Sequence, residues 1–151
     1  MPVKSSPSRI LLKGQYGRVE WFAASVAITP GMLVKLHNDS GTVKVKPHDE
    51  DGEIAMALFA LEDGEQGGAI ADAYAIGAQV PVYFAAKGDK IYAWLEATAN
   101  VTIDHDELES GGDGALQAVS AQTEPAVGIP AEDLDLSATG AVDTRITIWV
   151  L

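Results

Sequence analysis

Short apolar runs separated by glycine- and proline-bearing turns recur along the chain, and no stretch keeps the 3.6-residue period of a long amphipathic helix. The clearest unit is "TPGMLVKLHNDSGTVKVKPHDE". Pro30-Gly31 turns the chain, Met32, Val34 and Leu36 alternate with Leu33, Lys35 and His37, and "NDSG" predicts a hairpin loop. Val43 and Val45 alternate with Lys44 and Lys46 on the returning strand. In "AQVPVYF", Val80, Val82 and Phe84 share a face, and after "AAKGDK" the residues Ile91, Ala93 and Leu95 alternate with Tyr92 and Trp94. The closing "TRITIWVL" sets Thr144, Ile146, Ile148 and Val150 opposite Arg145, Thr147, Trp149 and Leu151.

Other segments are less regular. "EIAMALFALED" has helix-forming composition but is short and apolar on every side, so it reads as a buried strand. "NVTI" and "ALQAV" predict short strands, "DHDELESGGDG" a long acidic loop, and the Pro-interrupted "TEPAVGIPAEDLDLSATGAVD" an edge strand. Residues 1–8 hold two prolines and three serines and predict an extended lead-in. Many short strands at close spacing imply an all-β fold, a compact β-barrel or β-sandwich with an extended N-terminal arm. The expected division is a basic arm over residues 1–20 and one β-rich domain over 21–151.

Charge sharpens that division. Lys4, Arg9, Lys13 and Arg18 all precede the first acid, Glu20, and the rest of the chain carries 22 acids against six basic residues. So acidic a body repels nucleic acid and anionic membranes, and no run of apolar residues is long enough to span a bilayer or form a signal peptide. The arm is either a frayed tail or a docking segment for an acidic surface. With no cysteine, the chain has no disulfide framework and no thiolate chemistry.

Few residues suit catalysis. Gly88-Asp89-Lys90 lacks the glycine spacing of a phosphate loop and opens no helix, so it reads as a strand-to-strand turn. Asp104, His105, Asp106, Glu107, Glu109 and Asp113 crowd one stretch, but Leu108 stands where a calcium loop needs a ligand and no central glycine follows. "HDED" at His48–Asp51 has the same character, and both read as solvated loops. His37, His48 and His105 are scattered, without metal-ligand spacing, and read as surface residues. No serine sits in a nucleophile elbow. Trp21, Tyr83, Tyr92, Trp94 and Trp149 fall on strand periods and read as core or subunit-interface packing. The chain is therefore not expected to be an enzyme or to need a cofactor or metal.

From Phe59 onward a series of pieces carries a resemblance: "FALED" (59–63), "GAIADAYAIGAQVPV" (68–82), "GDKIYAWL" (88–95), "LESGGDGAL" (108–116) and "PAVGIPAEDLDLSA…RITIWVL". In this order and spacing the chain resembles the capsid decoration, or cement, proteins of tailed bacteriophages. The resemblance implies a β-rich structural virion protein on the outer capsid surface, made in the host cytoplasm during assembly and stabilising the expanded head. Its partners would be the major capsid protein and copies of itself, a trimer in preference to a dimer, with no nucleic acid or membrane. Lys4, Arg9, Lys13 and Arg18 are the capsid-contact residues expected on the arm, and Trp21, Trp94 and Trp149 the subunit-interface aromatics. The alternative reading is a non-catalytic β-barrel module, displayed on a virion, that binds carbohydrate or a cation through its aromatics and acidic loops.

Overall fold

The structure, a computed structural model, describes residues 6–120 and 126–151. Thirteen strands and two short 3-10 turns follow one another without an α-helix among these residues. The first part comprises β1 (Leu11–Lys13), β2 (Val19–Ala23), β3 (Val34–Asp39), β4 (Thr42–Pro47), β5 (Leu58–Ala60) and β6 (Gln79–Phe84). The second comprises β7 (Lys90–Leu95), β8 (Asn100–Val101), β9 (Leu108–Ser110), β10 (Leu116–Ala118), β11 (Gly128–Pro130), β12 (Leu134–Asp135) and β13 (Thr144–Val150).

Five strands close a barrel in the order β7-β10-β9-β11-β13, with β13 returning to β7. The closing seam is the longest ladder in it, running antiparallel from Thr144↔Leu95 to Trp149↔Lys90. Alternation then does what the sequence pattern requires: Ile91, Ala93 and Leu95 from β7 and Ile146, Ile148 and Val150 from β13 point inward and are buried. They meet Leu108, Leu116 and Val127 in one cluster, and burying each valine, leucine or isoleucine side chain in it contributes about 1.5–3 kcal/mol. Closure also removes the unpaired edges that would otherwise template aggregation.

A smaller layer flanks the barrel. Its three-stranded sheet runs β2-β6-β5 and abuts the hairpin β3–β4, whose two-residue Ser40-Gly41 turn has both residues at positive φ, as a primed turn demands. Strand β6 joins the two cores because both of its faces are covered. Tyr83 faces the barrel cluster, while Val80 and Val82 pack with Ala24, Ile28, Val34 and Val45 in a second cluster. The isolated bridges Ala24↔Val45 and Leu33↔Phe59 fasten the hairpin and the residue entering it to this layer, and Ile28↔Tyr74 ties the connection after β2 to the segment before β6. The Pro30-Gly31 turn passes close over β7: Gly31 has φ +95, and a Cβ there would lie 2.9 Å from the Tyr92 carbonyl oxygen.

Four expectations change. Residues 10–13 do not extend as a free arm, since Ile10 is fully buried and β1 pairs with β7, beside β10 on the same edge. The acidic stretch after residue 103 is not all loop: it contains β9, whose Glu109 is 1% exposed. Strand β11 is internal, because Gly128 pairs with β9 on one side while β11 pairs with β13 on the other. Pro130 is tolerated there because it ends the strand, beyond the single β9 pairing at Gly128. Finally, only Leu58–Ala60 of "EIAMALFALED" is a strand; Ile54 and Met56 face solvent.

Candidate functional site

A concavity of about 620 Å³ lies where the N-terminal segment crosses the small sheet. Arg9, Tyr16, Val19 and Trp21 come from the chain's beginning, and Leu61, Glu62, Asp63 and Glu65 from the turn after β5. Tyr16 is 55% and Trp21 40% exposed, so both rings face the open cleft. The opposing wall is held locally. The Asp63 carboxylate accepts from the Gln66 N–H and caps a 3-10 turn that Gly67 ends at φ +76, while a Glu62 oxygen accepts from the Ile10 N–H at 3.1 Å. The result is a polar cleft with two exposed aromatics on one side and three carboxylates on the other.

Strand β2 forms one margin of this cleft and ends its sheet. Ala24 donates to the Ala78 carbonyl, which fixes the parity of the strand: Phe22 and Glu20 turn their backbone polar groups toward β6. Val19 and Trp21, by the same alternation, turn theirs outward. The C-terminal end of this edge is covered by the bridge from Ala24 to Val45.

Beside the cleft, Arg18 does not project from an arm. Its guanidinium reaches Asp89 at 2.6 Å, the Tyr83 hydroxyl at 2.7 Å and the Phe84 carbonyl oxygen at 3.2 Å. Asp89, 8% exposed, also accepts from the Tyr83 hydroxyl at 2.6 Å and the Ala86 N–H at 2.8 Å. Burial pushes the Asp89 carboxyl up, but the Ala86, Tyr83 and Arg18 donors outweigh it and hold the group below its ordinary value. Gly88-Asp89-Lys90 is thus a turn, and its aspartate is the acceptor that ties the N-terminal segment to the β6–β7 connection.

The remaining expected contact residues are spread over the surface. Lys4 lies outside the described residues, and Arg9 lines the cleft. The Lys13 ammonium sits 5.5 Å and that of Lys90 5.0 Å from the Trp149 ring centre, on the outer face of the barrel. Trp94 lies on the same outer face under the Pro30 turn, donating to the Pro30 carbonyl at 2.9 Å with the Arg145 guanidinium 4.2 Å from its ring. The three tryptophans therefore do not converge on one patch, and Trp94 and Trp149 are already stacked by cations of their own chain.

Of the histidines, His105 is exposed, but His48 is 2% exposed and its Nδ1 lies 2.6 Å from the Ser110 hydroxyl. That contact links β9 to the end of β4, so the surface reading of His48 is corrected: it is part of the packing. Glu96 stands near Asp113, Asp51 and Asp143, and burial together with those charges raises its pKa. Among the described residues no three His, Asp or Glu side chains group closely enough to hold a metal ion. Nor is any helix among them long and apolar enough to cross a membrane.

The architecture defines a small all-β class: a closed five-stranded barrel flanked by a three-stranded sheet and a hairpin. Among solved structures, the chain is similar to the head fiber gp8.5 N base of bacteriophage phi29, with a TM-score of 0.59 and 10% sequence identity. The match covers 88% of this chain and 92% of that one, and the likeness is one of fold. No family model matches the sequence, and no curated protein matches it.

Proposed function

We propose that this chain is a structural protein of a phage head, bound to the outer surface of the capsid lattice and stabilising the expanded shell. The observation that carries this reading is the fold shared over nearly its whole length with the base of a phage head fiber. The ordered pieces from "FALED" to "RITIWVL" point the same way from sequence alone. Decoration of this kind works by mass action. A protein that binds the assembled shell and not the loose subunit lowers the free energy of the shell, and many copies spanning adjacent subunits add avidity. A net charge of -12 keeps a densely coated particle soluble.

Cosedimentation of the purified chain with expanded, undecorated heads tests the proposal. Saturable binding that raises the temperature at which the heads rupture is expected. Heads that stay bare at high protein concentration refute it. The N-terminal contribution is tested by deleting residues 2–8, because removing residues 2–18 would also take away β1 and the Arg18 contact with Asp89.

A further inference from the structure

Resting on that reading, we infer that the cleft bordered by β2 is the docking site for an extended, basic segment of the capsid shell, which adds as a strand along the outer edge of β2. Three observations combine. The edge is unpaired among the described residues from Val19 to Phe22, with the backbone groups of Val19 and Trp21 directed outward. Such an edge binds an extended chain through main-chain hydrogen bonds, and pockets for alternate side chains then supply selectivity. The pocket here couples the exposed rings of Tyr16 and Trp21 with the carboxylates of Glu62, Asp63 and Glu65. A lysine or arginine on the added strand meets an aromatic face and a carboxylate together, an arrangement that suits a cation and disfavours an acid.

Among the described residues, the N-terminal basic side chains are poor occupants. Lys13 sits over Trp149, Arg18 is bound to Asp89, and Arg9 already forms part of the cleft wall. The cation is therefore assigned to a partner, and the shell is the partner the proposed function supplies. The edge is short, so it fits a few residues of strand and gives an added contact, with avidity across the lattice providing the rest.

Trp21→Pro and Glu65→Lys test the inference against expanded heads. Proline at position 21 removes an outward N–H and leaves the β2–β6 ladder intact, because the Trp21 N–H does not point to β6. Trp21→Phe keeps ring and edge, and Ile76→Lys, on exposed surface outside the cleft, is the control. Far-UV circular dichroism and melting confirm folding of each variant; should Trp21→Pro not fold, Glu65→Lys carries the test alone. We expect at least a tenfold loss of head affinity for Trp21→Pro and Glu65→Lys, steeper salt dependence for the wild type than for Glu65→Lys, and near-wild-type binding for Trp21→Phe and Ile76→Lys. Wild-type binding to heads with both cleft variants unaffected overturns the docking site and leaves the capsid reading standing. A wild-type chain that leaves the heads bare removes both. Loss of self-association in the variants by sedimentation velocity, with head binding retained, assigns the cleft to a second copy and also overturns the inference.

Discussion

Replacing Asp89 by alanine removes the acceptor on which three donors converge. The Tyr83 hydroxyl, on a fully buried ring, loses its 2.6 Å bond, and the Ala86 N–H loses one of 2.8 Å. A buried donor left without a partner costs about 1–3 kcal/mol, and the partly buried amide about 1 kcal/mol. The Arg18 contact is open to solvent on one side and adds little, since exposed ion pairs are screened. Asp89→Ala should therefore destabilise by about 3 kcal/mol, which in a domain of this size lowers Tm by about 6–12 °C. Urea denaturation followed by tryptophan fluorescence reads the change, with m unchanged if only the native state is affected. Asp89→Asn, which keeps an acceptor, should fall between. Tyr83→Phe should cost about 1–2 kcal/mol, and less once Asp89 is gone, so a double-mutant cycle reports their coupling. A loss below about 1 kcal/mol for Asp89→Ala, or strict additivity with Tyr83→Phe, refutes the claim that this network anchors the N-terminal segment.

Other perturbations follow from the same geometry. Gly31→Ala forces a Cβ against the Tyr92 carbonyl at positive φ and should cost about 2–3 kcal/mol, whereas Gly41→Ala, at φ +91 with open space around it, should cost only about 1 kcal/mol; thermal melts compare them. Thr98 is an exposed β-branched residue at φ +78, so Thr98→Gly should raise stability by about 0.5–1 kcal/mol. Asp89, Asp49, Asp39 and Asp135 all have carboxyls held below their ordinary values. Their stabilisation is present above the unfolded-state carboxylate range and is lost as pH falls through the folded values, so Tm should fall on acidification. Glu96 has the opposite sign: its raised pKa makes the ionised form a liability, and Glu96→Gln should raise Tm at neutral pH by an amount that vanishes as pH falls.

Much of the architecture was legible because period-2 alternation survives where one face is buried. The hairpin β3–β4 and strand β13 show it, with Val45, Ile146, Ile148 and Val150 buried at the predicted spacing. Strand β9 escaped because Glu109, a buried acid, disguises it as loop, and β11 because Pro130 marks an edge when only its own strand is considered. The N-terminal segment misled for another reason. Its charges are segregated, but the partners of Arg18 lie 65 to 71 residues away in sequence, and no local pattern announces them. The cleft has the same origin. Trp21 was singled out, yet Tyr16 and the carboxylates of 62–65 join it only because β2 and β5 both pair with β6. The barrel closure rests on the register of β13 with β7, which is likewise set by tertiary packing.

The most direct measurement is a cryo-electron reconstruction of expanded, undecorated heads incubated with the purified chain. Capsid binding predicts discrete density of the size of this barrel at repeated symmetry positions on the outer surface, with the β2 cleft turned toward the shell. Heads whose reconstruction is the same with and without the protein would contradict it.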